Sequence, residues 1–224
     1  MKHILIIPAS GSGVRFGSKT PKQFLKIDGK EILAHTIAKF HSLKIIDEIY
    51  IATQADNFSL IKKIISKNNF RKVRSIVEGG ETRQVSVFNA LNSIAAEKND
   101  VVIVHDAVRP FVSKKLILSL IEECHKSGGV IPGIKISDTV KRLDEKNLIQ
   151  TTLSRENLWT VQTPQMFRYD IIKSSFDKAV KKNFTGTDES SIVEFAGYPV
   201  KLIPGEKENI KITHKEDLKL YSKI

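Results

Sequence analysis

A single cysteine, Cys124, among 224 residues leaves the chain without an internal disulfide, and such sparing use suits a reducing compartment. No apolar run approaches the roughly 20 residues that a membrane-spanning helix requires. The opening MKHILIIPAS turns polar too soon for a secretory signal, so a cytoplasmic protein without a membrane partner is expected. The histidines, His3, His35, His41, His105, His125 and His214, are scattered. With no HExxH and no cysteines at zinc spacing, a protein-built metal cage is not expected. Two familiar phosphate-binding motifs are missing as well. No GK[ST] follows the first glycines, and the second apolar run leads into IYIATQAD, whose acid, Asp56, lies far beyond the usual spacing of a dinucleotide fingerprint. A nicotinamide-dependent oxidoreductase is therefore disfavoured.

What the chain does have is a formal charge of +11. Its lysines recur singly (Lys44, Lys62, Lys63, Lys67, Lys72), as on solvated helical surfaces. A basic RNA-binding domain would cluster aromatic groups with arginine on one surface, and that interleaving is absent, so no nucleic-acid partner is expected. Apolar runs alternate with amphipathic stretches. HILIIP, DEIYIAT (47–53), VRSIVEGG (73–80) and VVIVHDAVRP (101–110) read as strands. EILAHTIAKFHSL, FSLIKKIISKN and TRQVSVFNALNSIAAEKN read as the helices between them, the third with Val85, Phe88, Leu91, Ile94 and Ala95 on its buried face. Continuous apolar strands belong in a parallel sheet covered on both faces. The order predicts an α/β fold, a Rossmann-like doubly wound, mostly parallel sheet, with ligands beyond the carboxyl ends of its strands. From residue 129 to 167 short β-like pieces and turns replace the helices, predicting an inserted β-arm at about 136–157 with its tip at DEKN (144–147). The whole chain, 1–224, reads as a single domain. Helical pattern resumes at YDIIKSSFDKAVKK and TDESSIVEFAG, with Thr187 as the expected cap of the latter, and a closing helix is expected near KEDLKLYSK. Trp159, Phe167 and Cys124 read as core, and His105 as a packed residue at a strand end.

Three strand ends carry polar loops. PASGSGVRFGSKTPKQF places Gly11 and Gly13, which free the backbone to approach a ligand, beside the cations Arg15 and Lys22. EGGETRQVSV repeats the theme with Gly79, Gly80, Arg83 and Ser86 at a helix start. HDAVRPFV adds Asp106 and Arg109. All three face one cleft, and the pattern points to an anionic ligand.

The phrases PASGSGVRFG with PKQF, GGETRQVSV, HDAVRPFV, DTVKR, SRENLWTVQTPQMF, TDESS and NIKIT occur in this order over nearly the whole chain. Together they closely resemble the 2-C-methyl-D-erythritol 4-phosphate cytidylyltransferase family of nucleotidyltransferases. The resemblance implies transfer of a cytidylyl group from CTP to methylerythritol phosphate with release of pyrophosphate, in non-mevalonate isoprenoid precursor biosynthesis. It also implies Mg²⁺ as cofactor and a homodimer held through the inserted arm. Carried over by residue, it assigns Ala9, Ser10, Gly11, Ser12, Gly13, Arg15, Lys22, Gly80, Arg83 and Ser86 to CTP. Asp106, Arg109, Thr139, Arg155, Thr163, Thr187 and Lys211 are assigned to the sugar phosphate. Arg15, Lys22, Arg155 and Lys211 are the catalytic set, with Thr139 and Arg155 reaching in from the neighbouring subunit. The resemblance leaves the Mg²⁺ ligands unassigned, with the ion held mainly by CTP phosphates and Asp106 as the candidate carboxylate. Pro8, Ser10 and Val108 depart from the commonest family pattern, and none of these changes removes a charge. Ribitol-5-phosphate cytidylyltransferase, which shares the loops, is the nearest alternative; SRENLWTVQTPQMF followed by TDESS favours the methylerythritol enzyme.

Overall fold

Strand β1 (His3–Pro8) is apolar from Ile4 to Ile7 because both of its faces are covered. In the computed structural model, which describes residues 1–11, 20–214 and 216–218, β1 is followed by a small hairpin, β2 (Lys26–Ile27) and β3 (Lys30–Glu31). Then come α1 (Ile32–His41), β4 (Glu48–Thr53), α2 (Phe58–Lys67), β5 (Val73–Glu78), α3 (Arg83–Ser93), β6 (Val101–Val104) and α4 (Lys114–Ser127). The second half contains β7 (Gly129–Lys135), β8 (Val140–Leu143), β9 (Ile149–Leu153), β10 (Trp159–Val161) and β11 (Gln165–Arg168). It closes with α5 (Tyr169–Lys181), α6 (Glu189–Ala196) and β12 (Lys201–Pro204).

Eight strands form the main sheet in the order β10-β7-β11-β6-β1-β4-β5, with β12 added alongside β7. β1 pairs in parallel with both β4 and β6, and β5 continues in parallel from β4. β11 runs antiparallel to both β6 and β7, so those two strands share a direction, which β12 also takes. Only β10 and β11 are reversed, and the sheet is mostly parallel as the apolar runs predict. Alternation divides the core. Leu5, Ile7, Ile51 and Ile103 face α1, α2 and α4, whereas Ile4, Ile6, Tyr50 and Val104 face α3, α5 and α6. The chain leaves β1 toward β4 and β5, then crosses back to β6 on the other side of β1. The carboxyl ends of β1 and β6 therefore open the crevice in which doubly wound sheets bind ligands.

Several local expectations change. β6 ends at Val104, and residues 105–110 turn instead of continuing the strand. α3 stops at Ser93, and its buried residues are Ser86, Val87, Ala90 and Leu91, while Val85 and Ala95 are exposed. Leu91 and Ile94 of the expected face are buried and Phe88 packs against the core. The buried face also takes in Ser86, which points inward to serve a loop, a polar purpose that a hydrophobic pattern cannot register. Asp188, not Thr187, caps α6: its carboxylate accepts from Ser191 N in a reciprocal capping box. Phe167 and Cys124 are buried, but Trp159 is only half-buried, on the outlying strand β10. Burial pushes the Cys124 thiol up to about 12, as suits inert packing. Residues 216–218 make one 3-10 turn, and the rest of the expected closing helix lies outside the described residues. β8 and β9 pair only with each other, around a turn in which Asp144 Oδ1 accepts from Lys146 N and Leu148 N.

Candidate active site

The turn after β6 is built around one buried carboxylate. Asp106 Oδ1 lies 3.2 Å from Arg83 Nε, and Oδ2 lies 3.3 Å from Arg109 Nε and 3.0 Å from Lys211 Nζ. Burial alone would raise its pKa, but Arg83, Lys211 and Arg109 together hold the carboxyl far below the usual carboxylate range. The three cations come from three places: the start of α3, the β6 turn itself, and the NIKIT segment after β12. Arg109 Nη1 also donates to Asn209 O at 2.8 Å, which ties that segment to the turn.

Beneath Asp106 runs a fixed relay of hydrogen bonds. The Asp106 backbone N–H donates to Thr163 Oγ1 at 3.1 Å, and Thr163 Oγ1 lies 3.1 Å from His105 Nδ1. His105 Nε2 is 2.9 Å from Arg109 O, an atom that can only accept. The imidazole therefore carries its proton on Nε2 and takes the Thr163 hydroxyl proton at Nδ1. Burial lowers its pKa to about 4, and with both nitrogens engaged it is a neutral structural group, as expected of a packed strand-end histidine. Thr163, expected at the sugar phosphate, is buried with its hydroxyl committed to this relay.

The loops after β1 and β5 are stitched together. Ser10 Oγ donates to Ala52 O at 3.3 Å, and Ser86 Oγ lies 3.0 Å from Ser10 Oγ while accepting from Gly80 N at 3.1 Å. A Cβ on Gly79 would collide with Ser10 Oγ, and one on Gly80 with the Val85 side chain. These glycines are required by close approach, not by a left-handed backbone. From the other end, buried Gln23 donates to Ala9 O at 2.8 Å and Gly11 O at 3.0 Å. Gln23 stands next to Lys22 on a one-turn 3-10 helix (Lys22–Phe24), so the anchor of the loop and the candidate cation share one turn. Ser12, Gly13 and Arg15 lie outside the described residues.

Arg83, expected on the CTP side, places its guanidinium between two carboxylates, Asp106 and Glu189. Nη1 donates to Glu189 Oε1 at 2.6 Å and Nη2 to Oε2 at 3.0 Å. Glu189 is fully buried at the start of α6. The two carboxylates outweigh the cost of burying Arg83 and raise its pKa further. Thr187 is exposed, and beside it Arg83, Gln84, Gly186 and Glu189 help to line a cleft of about 90 Å³. Thr139 and Arg155 are exposed near the base of the β8–β9 hairpin, where Arg155 donates to Ser137 O. Among the described residues, no hydrogen bond or ion pair joins either of them to the Asp106 cluster within one chain. Glu189, Gln23 and Asn209 were not anticipated. The sequence marks Glu189 only as an acid in the first turn of a helix.

As a test of metal capacity, no group of three His, Cys, Asp or Glu side chains converges among the described residues. Two cations sit on Asp106 Oδ2 and one on Oδ1; since a carboxylate oxygen can accept two contacts, Oδ1 has capacity for one more. A bare divalent ion gains little beside three cations. One that arrives on a triphosphate, sharing that single carboxylate position, fits the donor set.

Over residues 3–224 the chain matches the family described as 2-C-methyl-D-erythritol 4-phosphate cytidylyltransferase. A protein of that name from Dictyoglomus thermophilum is 43% identical over 219 residues, covering 97% of this chain and 94% of the relative. Another, from Syntrophus aciditrophicus, is 40% identical over 218 residues, covering 97% and 93% respectively. Among solved structures, the Francisella tularensis 2-C-methyl-D-erythritol 4-phosphate cytidylyltransferase superposes with a TM-score of 0.83 at 36% identity and covers 99% of both chains. The 4-diphosphocytidyl-2C-methyl-D-erythritol synthase of Anaerococcus prevotii gives a TM-score of 0.85 at 32% identity, covering 100% of this chain and 96% of its own.

Proposed function

From the premise that this chain belongs to the 2-C-methyl-D-erythritol 4-phosphate cytidylyltransferase family, we infer that its stitched glycine loops hold CTP and its Asp106 cluster holds the sugar phosphate. The reaction joins the cytidylyl group of CTP to 2-C-methyl-D-erythritol 4-phosphate and releases pyrophosphate, a step of isoprenoid precursor synthesis. The observation that carries the division of labour is Asp106, a buried carboxylate under three cations at the switch point of the sheet.

Two polyanions must meet for the reaction to occur. The attacking phosphate monoester is already ionised near neutral pH, so no general base is needed. That accords with a neutral His105 whose two ring nitrogens are already engaged. Repulsion between the phosphates and the growing charge on pyrophosphate dominate the barrier, and fixed cations lower both. Arg15 and Lys22 are assigned to the triphosphate, with Ala9, Ser10, Gly11, Ser12, Gly13, Gly80 and Ser86 supplying backbone and hydroxyl contacts. Asp106 is the candidate protein ligand for a Mg²⁺ that arrives with CTP, and such an ion would supply further neutralisation of the triphosphate charge. Lys211 is half-exposed and tethered to Asp106 by a single ion pair, which leaves donors free for the attacking phosphate. Arg109 is buried and holds Asp106 in place, while Thr163 does so through its hydroxyl. Thr187, at the adjacent cleft, is assigned to the rim of the sugar-phosphate site. Thr139 and Arg155, exposed on the hairpin and remote from their own cluster, are assigned to the neighbouring subunit's site in a homodimer, where the Arg155 fork would orient the phosphate.

The test is pyrophosphate release with CTP, offering methylerythritol phosphate and ribitol 5-phosphate side by side. Methylerythritol phosphate is the expected preference. A higher kcat/KM with ribitol phosphate overturns the substrate assignment and leaves the fold and nucleotide site standing.

A further inference from the structure

Glu189 is fully buried, carries a charge, and has no part in the division of labour above. It begins α6, whose start is bolted to β11: Gln165 Nε2 donates to Asp188 Oδ2 at 2.7 Å, and Ser190 N donates to Gln165 Oε1 at 3.0 Å. From this fixed point it reaches Arg83, more than a hundred residues away in the chain, and takes both Nη groups. Arg83 is the first residue of α3, where the positive end of the helix dipole opposes a cation. It stays there because two carboxylates hold it.

The geometry settles which edge of the guanidinium each carboxylate receives. With Nη1 and Nη2 committed to Glu189, only Nε addresses Asp106, through one contact of 3.2 Å to Oδ1. A freed arginine favours a two-pronged contact with a carboxylate, pairing Nε with the adjacent Nη. Such a fork sets Nε on one carboxylate oxygen and the adjacent Nη on the other, so a freed Arg83 would compete with Arg109 and Lys211 for Asp106 Oδ2.

We propose that Glu189 is a positioning residue for sugar-phosphate binding: it restrains Arg83 to a single-pronged contact and so leaves Asp106 Oδ2 to Arg109 and Lys211, which keeps Lys211 placed for the attacking phosphate. The inference rests on the assignment of the Asp106 cluster to the sugar phosphate. Glu189 itself touches no substrate, and its effect passes entirely through Arg83. The CTP loops are joined through Ser10 and Ser86, so the nucleotide side stays untouched.

Four chains test this: the unaltered protein, Glu189→Gln, Arg83→Gln and the double variant, with both KM values, kcat and Tm measured for each. Glu189→Gln is expected to raise KM for methylerythritol phosphate about tenfold or more, on the scale of one charged hydrogen bond, with KM for CTP within about twofold of its original value. In the Arg83→Gln background the same change should add almost nothing, because the group it acts through is gone. A purely structural tie between α3 and α6 would lower Tm without this dependence on background. The proposal is overturned by a folded Glu189→Gln chain with unaltered KM for methylerythritol phosphate, or by an equal cost in both backgrounds. Should Glu189→Gln fail to fold, Arg83→Met with Glu189→Met replaces the pair by apolar groups, a change that buried ion pairs often tolerate. That variant leaves no arginine at position 83 to fork onto Asp106 and should keep KM for methylerythritol phosphate near its original value, and a KM raised about tenfold overturns the proposal. If the unaltered protein releases no pyrophosphate from CTP and methylerythritol phosphate, the assignment beneath the inference fails first, which is a distinguishable result.

Discussion

His105 illustrates how a single buried side chain links stability to pH. Its imidazole has no exposure to water, and its two nitrogens are engaged by Thr163 and by Arg109 O. Protonation puts a second N–H where the Thr163 hydroxyl donates. In the unfolded chain the group titrates near 6.5 and in the fold near 4, so the native state disfavours the charged form. The stabilisation is whole above pH 6.5 and is lost as pH falls toward 4, by about 3 kcal/mol in all. The contribution of Asp106, held low in the fold, is lost only as pH falls through the ordinary carboxylate value of 3.8 and below, beneath the range in which His105 titrates. Urea unfolding between pH 8 and 4.5 should therefore show the unaltered protein losing more stability than His105→Gln over the same range, and parallel curves would refute the account. Lys22 carries a different expectation at this scale. If it meets the charge developing on the triphosphate, Lys22→Ala lowers kcat on the order of a hundredfold or more. A folded variant with near-unaltered kcat removes it from that role. These residues were unequally legible: HDAVRP follows an apolar strand and exposes Asp106 and Arg109 to sequence reasoning. Glu189 reads as an ordinary first-turn acid, because its partner is 106 positions away.

Elements were legible where burial is uniform. β1, β4 and β6 are covered on both faces, so their apolar runs stand out, and the parallel sheet with its crevice follows from them. α3 is the counter-example. Its inward face includes Ser86, which serves the loops, and the hydrophobic pattern consequently placed Val85 and Ala95 inside when both are exposed. Likewise, Thr187 and Asp188 both have cap chemistry, and only the reach of the Asp188 side chain to Ser191 N separates them. The Ser86–Ser10 stitch makes the loop after β1 and the loop after β5 a single unit, and the contact is possible only because Gly79 has no side chain. Gly79→Ala should push Ser10 away and misplace the first loop, raising KM for CTP by about tenfold or more. KM for methylerythritol phosphate should move little, since the Asp106 cluster hangs from β6. Equal increases for both substrates would mean that the two loops do not form a separate nucleotide unit.

At the scale of the whole molecule, the hairpin of β8 and β9 is the element that the body of one chain does not explain. Its strands pair only with each other, and Leu143, Leu148 and Ile149 expose apolar surface near its tip. Thr139 and Arg155 sit near its base without a bond to the Asp106 cluster of the same chain. Alone, such a hairpin holds little stability in water, and in the proposed homodimer a second copy would provide both cover for its apolar surface and a site for Arg155 to complete. A two-fold dimer would make the exchange reciprocal, each arm serving the other body. Lys22→Ala and Arg155→Ala homodimers should each be inactive, the first for want of a body cation and the second for want of an arm. When equal amounts are unfolded together and refolded, about half of the dimers are mixed, and each mixed dimer has one site with both groups intact. Activity should return to about a quarter of that of the unaltered protein. If Arg155 serves its own chain, every site in the mixture lacks one group or the other. Mixed dimers verified by mass and showing no recovery would therefore place Arg155 in cis and leave the arm with a purely adhesive role.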